Sequence, residues 1–133
     1  MEELHHECGV FGIYGVENAA QYAYYALHSL QHRGQQGCGI VSADSEGQFH
    51  LHKGAGLVIE IFGQKHLDEL TGNIAIGHVR YPTTNVGGLE NIQPFTFHHY
   101  TGNFAIAHNG NIINSKELRM YLEQASATLQ VIA

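Results

Sequence analysis

Two strand-like runs flanking the turn Asp44-Ser45-Glu46-Gly47 constrain this chain more than any other feature. Asp and Ser side chains bond their own backbone in turns, and Gly accepts a positive φ without steric cost. The flanking runs, Cys38 to Ala43 and Gln48 to Lys53, must therefore fold back on one another as an antiparallel hairpin. A second hairpin is expected from Pro94 to Tyr100 and Phe104 to His108, across Thr101-Gly102-Asn103. Cys8 to Tyr14 and Asn73 to Arg80 read as two further strands, the glycines of the first permitting close backbone approach.

Helices fall between these strands. Asn18 is a good N-cap for a helix from about Ala19 to Gln31, which Gly34 should stop. Ala19, Ala20, Ala23, Tyr24, Ala26, Leu27 and Leu30 make it apolar on most sides, so it is expected to be largely buried. A short helical stretch from Leu57 to Leu70 is broken at Gly63. Tyr81 to Gln93, with Pro82, Gly87 and Gly88, reads as a long loop. Asn114 with Glu117 three positions on resembles a capping box, opening a helix to about Gln124, and the apolar tail to Ala133 has no clear period. Antiparallel hairpins with helices between them give an α+β fold, helices stacked on sheets.

Composition narrows the function. A chain of 133 residues, 44% apolar and 14% charged, has room for one domain with a core and is not disordered. Its net charge of −6, with six basic residues and no basic run, excludes nucleic acid as the main partner. No apolar stretch approaches the roughly 20 residues that cross a bilayer. Residues 1–7 lack the basic and apolar regions of a secretory signal. Cys8 and Cys38 make no disulfide framework, which suits a reducing cytoplasm. Eleven histidines tempt a metal reading, and His50 and His52 share a strand face. None of the pairs His5-His6, His50-x-His52 and His98-His99 has a companion Cys pair or an H-E-x-x-H, so no metal is assigned.

The chemistry lies in four segments. Cys8-Gly9-Val10-Phe11-Gly12 is followed by Leu30-Gln31-His32-Arg33-Gly34-Gln35, then Gly77-His78-Val79-Arg80-Tyr81-Pro82-Thr83, then Ala107-His108-Asn109-Gly110-Asn111. Each has an ordinary reading. A lone Cys is more often a small buried hydrophobe. Arg80 at a strand end can be an exposed charge, Asn109-Gly110 a plain turn, and Arg33 a cation favoured at a helix C-terminus. Cys38 is best read as core. His32, His78 and His108 are expected to make structural hydrogen bonds rather than to exchange protons. Taken together, however, if residues 1–7 are removed, Cys8 offers both a thiol nucleophile and an α-amine base of pKa about 7.7–8.0.

In order and spacing the four segments resemble the N-terminal, class II glutamine amidotransferase domain of the amidophosphoribosyltransferases, from Cys8 to about Gln124. The Leu30 to Gln35 run narrows the likeness to this family over amidotransferases with other acceptors. The resemblance implies an N-terminal-nucleophile αββα sandwich of antiparallel sheets, incomplete here at its C-terminal side. It implies that Cys8 attacks the side-chain amide of glutamine, with Asn109 and the Gly110 N–H as oxyanion hole. Arg80 would bind the substrate carboxylate, Tyr81 and Thr83 would line that pocket, and Arg33 would help close it. Ammonia would then serve synthesis of 5-phosphoribosylamine, the first step of purine biosynthesis, in a cytoplasmic homo-oligomer.

The resemblance also marks two departures. No Asp or Glu follows Glu123, where the family carries an acid for the glutamine ammonium, and no acidic diphosphate-binding motif is present. The expectation is a leader at 1–7, a partial amidotransferase domain at 8–133, and no phosphoribosyltransferase domain, whose Mg2+ would be the cofactor. An inactive pseudo-enzyme or binding module, or a class II amidotransferase with another acceptor, stands as the alternative.

Overall fold

The computed structural model describes residues 9–31, 36–81 and 91–108, together with Glu117 and Met120, both helical. In chain order the elements are β1 (Gly9–Tyr14), α1 (Ala19–Leu30), β2 (Gly37–Ala43), β3 (Phe49–Ala55), α2 (Val58–Ile61), α3 (Gln64–Glu69), β4 (Ile74–Arg80), β5 (Phe95–His99) and β6 (Gly102–Ile106). A four-stranded antiparallel sheet runs β1-β4-β2-β3, and β5 pairs with β6. The fold is the expected α+β. The apolar run from Asn73 onward becomes β4, which has a partner on each side: Gly77 lies opposite Phe11 and opposite Ile40.

The two faces of this sheet are covered differently. One face packs on α1, α2 and α3: Cys38 and Ile40 of β2 and Ala75 and Val79 of β4 form a core with Ala19, Ala23 and Leu27 of α1. The alanines keep α1 close to the sheet, and Leu27 seats on Gly77, where a Cβ would stand 2.9 Å from it. Burial is confined to that stripe. Tyr22 and Tyr25 are exposed and so is Leu30, contrary to the expectation of a helix buried on most sides, because only one face of α1 meets the sheet. The start of α1 also differs in mechanism. Asn18 sits in the left-handed region (φ 57°) and makes no side-chain cap. The Ala19 N–H instead bonds the Gly72 carbonyl, 3.2 Å, and Asn tolerates the conformation that this tertiary bond requires. The helix has already ended at Gln31, which is extended; Gly34 lies outside the described residues.

The first hairpin matches its turn chemistry. Asp44 Oδ1 accepts from the N–H groups of Glu46 and Gln48 at 2.9 and 3.0 Å, and Gly47 takes φ 79°. The break at Gly63 separates α2 from α3 as expected. The second hairpin turns earlier than its glycine suggested. Gly102 and Asn103 are already in β6, opposite His99 and His98. Side chains close this turn: His98 Nδ1 is 2.8 Å from Asn103 Oδ1 and His99 Nδ1 is 2.7 Å from Thr101 Oγ1. The capping-box residue Asn114 and the tail lie outside the described residues.

The opposite face of the large sheet meets β6 and the segment 91–94. Near the Ile74 end of β4 the two sheets leave a cavity of about 310 Å³, lined by Val41, Ala43, Phe49, Ile74, Ile76 and Phe104 among others. Toward the Arg80 end the gap closes, and that end carries the candidate site.

Candidate active site

The strand end at Arg80 is where the four motif segments meet. Gly9, the first residue of β1, pairs with Val79. Gln36, which follows the Leu30 to Gln35 run, donates its N–H to the Arg80 carbonyl at 2.8 Å. The fourth segment arrives at His108, whose carbonyl accepts from His78 Nε2 at 3.1 Å. Cys8, Arg33, Thr83, Asn109 and Gly110 lie outside the described residues. Each is within three positions in sequence of a described residue at this end: Gly9, Gln36, Tyr81 and His108.

Arg80 is partly buried and its Nη1 donates to the Asn91 carbonyl at 2.9 Å. That bond orients a planar fork of five N–H donors at the strand end. Tyr81, expected to line the pocket, follows Arg80 at the strand end. It is 2% exposed, belongs to the helix-facing core, and its hydroxyl stands 3.5 Å from the Leu30 carbonyl. It joins the end of β4 to the end of α1. Gln31, in the same run as Arg33, anchors α2 through its Oε1, 3.0 Å from the Val58 N–H.

Segment 91–94 is buried throughout and strapped to this end by polar side chains. Lys53 Nζ donates to the carbonyls of Ile92 (2.7 Å) and Pro94 (3.2 Å) and lies 5.2 Å from the centre of the Phe95 ring. Burial pushes the Lys53 ammonium below its usual pKa. Gln93 Oε1 accepts from the His108 N–H at 2.6 Å. The segment fits because β2 has no side chain at Gly39, where a Cβ would collide with the Gln93 carbonyl oxygen. Lys53, Asn91 and Gln93 were not legible as site residues. The available signal was the pair of glycines Gly37 and Gly39 in an otherwise apolar strand, which marks a close backbone approach.

His78 is fully buried, and burial lowers its pKa to about 4. It is neutral at working pH, with the proton on Nε2, since a carbonyl faces that atom. The other candidate histidines have intrachain partners too: His50 Nε2 pairs with Asp44 Oδ2 at 2.9 Å, and His52 Nε2 donates to the Ile61 carbonyl at 2.9 Å while stacking on His66. The His50 hydrogen bond, followed by the Gln48 N–H, holds the Asp44 carboxyl below the ordinary carboxylate value. His32 lies outside the described residues. Cys38 is buried in the core, its Sγ 3.9 Å from the Gly56 carbonyl. Among the described residues no helix is long and apolar enough to cross a membrane.

No family model matches the chain. Individual proteins do. Amidophosphoribosyltransferase of Bacillus subtilis is 51% identical over 128 residues, covering 96% of this chain and 27% of that protein. The chloroplastic amidophosphoribosyltransferase 3 of Arabidopsis thaliana is 49% identical over 123 residues, 92% of this chain and 23% of its own length. The solved glutamine phosphoribosylpyrophosphate amidotransferase from B. subtilis, complexed with ADP and GMP, superposes with a TM-score of 0.83 at 48% identity, over 93% of this chain and 26% of that one. A structure of the allosteric regulatory enzyme of purine biosynthesis gives a TM-score of 0.84 at 50% identity. The chain therefore spans about a quarter of the length of the relatives it matches. With about half of the aligned residues identical and the fold shared, the chain is homologous to the N-terminal part of the amidophosphoribosyltransferases.

Proposed function

We propose that this chain is the glutamine-hydrolysing part of an amidophosphoribosyltransferase. The observation that carries the reading is the meeting of all four motif segments at the Arg80 end of β4, in a chain homologous to these enzymes. In the proposed reaction residues 1–7 are removed and Cys8 becomes the N-terminus. Its α-amine takes the thiol proton, and the sulfur attacks the side-chain amide carbonyl of glutamine. Asn109 and the Gly110 N–H stabilise the oxyanion, a role typically worth roughly 10²–10³ in rate per donor. The amine returns its proton to the departing ammonia, and water releases glutamate from the thioester. Arg80 holds the substrate α-carboxylate through its planar fork, with Thr83 lining the pocket, Arg33 closing it and Tyr81 backing the strand end from the core.

The ammonia is used by a phosphoribosyltransferase domain, which joins it to 5-phosphoribosyl-1-diphosphate to give 5-phosphoribosylamine. The setting is a cytoplasmic homo-oligomer. The test is intact mass and glutamate release on the full-length protein. Active enzyme should begin at Cys8, and Cys8→Ser should abolish turnover. Full activity in protein that still begins at Met1 would overturn the mechanism, because an internal cysteine has no amine to act as base.

A further inference from the structure

His108 is held on both sides. Its N–H is taken by Gln93 Oε1 at 2.6 Å, and its carbonyl by His78 Nε2 at 3.1 Å. Both gripping side chains are buried, His78 at 0% and Gln93 at 8% exposure. Each stands on its own foundation. His78 is in the central strand, with Gly39 opposite it in β2 and Val10 opposite it in β1. Gln93 sits in the segment that Lys53 and Arg80 strap down through the carbonyls on either side of it.

From these contacts we propose that His78 and Gln93 are positioning residues for the oxyanion donors, gripping consecutive peptide groups on either side of the His108 α-carbon. The inference rests on the glutaminase reading above. Its physical basis is the planarity of the peptide. The unit that contains the His108 carbonyl also contains the Asn109 N–H and the Asn109 α-carbon. The unit before it contains the His108 N–H. With one atom of each plane held, rotation about the two soft bonds of His108 is arrested, and the direction in which the chain enters Asn109-Gly110 is set. A donor aimed at a developing oxyanion works only when placed in advance, and a displacement of about 1 Å in a reacting geometry costs on the order of 10²-fold in rate. His78 suits the task because burial keeps it neutral, with a bare Nδ1 that has no hydrogen-bond partner among the described residues. Its one polar contact among them is the His108 carbonyl.

The test uses the full-length, processed enzyme and three variants: His78→Phe, which removes the donor; Gln93→Met, which removes the acceptor at similar volume; and His78→Gln, whose Nε2 can donate from a similar place. Steady-state glutamine hydrolysis is measured beside the rate of Cys8 alkylation by iodoacetamide, a reaction that needs the thiolate and no oxyanion hole. H78F and Q93M should each lower kcat about 10- to 100-fold with KM and alkylation rate within about threefold. H78Q should recover most of the loss. The double variant should fall little below the worse single one, since both act on one residue's backbone. Unchanged kcat in Q93M, or an H78Q as slow as H78F, would overturn the proposal, as would parallel losses of kcat and alkylation. Failure of the unmodified enzyme to release glutamate would instead overturn the proposed function. The grip is then judged by hydrogen exchange at the His108 amide, which Q93M should speed at least tenfold; equal exchange in the two proteins counts against it.

Discussion

His78 shows how much one buried side chain can make stability depend on pH. Its folded pKa of about 4 lies below the usual value of 6.5 because burial disfavours the imidazolium. Between these values the unfolded chain binds the proton and the folded one does not, so stability rises with pH across that window. The contribution is fully present above about pH 6.5 and is lost as pH falls toward 4, amounting to roughly 3 kcal/mol at 1.36 kcal/mol per unit. Urea unfolding of the wild type and H78Q from pH 4 to 7 should show the variant with the shallower pH dependence; parallel curves would mean that His78 titrates normally. Arg80 carries a different prediction. Lysine is a point charge and cannot reproduce paired bonds to a carboxylate while reaching Asn91. Arg80→Lys should raise the glutamine KM about 10- to 100-fold with a smaller change in kcat, as befits loss of a charge-assisted hydrogen bond. A change confined to kcat would remove Arg80 from substrate binding.

At the scale of elements, what could be read in the sequence was what is decided locally. The β2–β3 hairpin was legible because Asp44 and Gly47 make their turn with their own neighbours. The interruption at Gly63 was legible for the same reason, and so was β4 from its apolar run. Apart from the early turn of the second hairpin, the misreadings involve partners distant in sequence. Asn18 starts α1 through the Gly72 carbonyl rather than through its own side chain, and the exposed side of α1 depends on which sheet face it meets. The segment 91–94 looked like the end of a loop, yet it is a buried peg between sheets, because Gly39 leaves room for its backbone and Lys53 supplies donors from β3. This makes Gly39 a sharp test. Gly39→Ala places a methyl group against the Gln93 carbonyl, Lys53 and Pro94, and a backbone oxygen held by its surroundings cannot rotate away. Overpacking of this kind costs about 1–3 kcal/mol. The urea midpoint should drop accordingly at unchanged slope, whereas a neutral Gly39→Ala would show that segment 91–94 is not pinned as described.

Across the whole molecule the layers are joined unevenly. The order of the four motifs along the chain pointed to the family, but their convergence became visible only through topology: β4 lies between β1 and β2, so one strand end gathers segments from across the chain. At that end His78, Arg80 and Lys53 each bond a carbonyl of the layer above. At the other end the same two layers gape around the cavity of about 310 Å³. The helix-facing core, by contrast, is closed, with Ile40 and Val79 fully buried. Rigidity is thus placed where the proposed chemistry needs fixed donors, and loose packing is placed away from it. Truncations on the two faces should report this asymmetry. Ile40→Ala opens a cavity in a closed core and should cost about 2–5 kcal/mol. Ile74→Ala removes a side chain that is partly exposed and already borders open space, so fewer contacts are lost. Its cost should be about half that of Ile40→Ala or less, with glutamine turnover retained because the strand end is untouched. Equal costs in urea unfolding would mean that the two sheets are packed as tightly as the helix layer, and loss of turnover in Ile74→Ala would mean that the cavity end also governs the site.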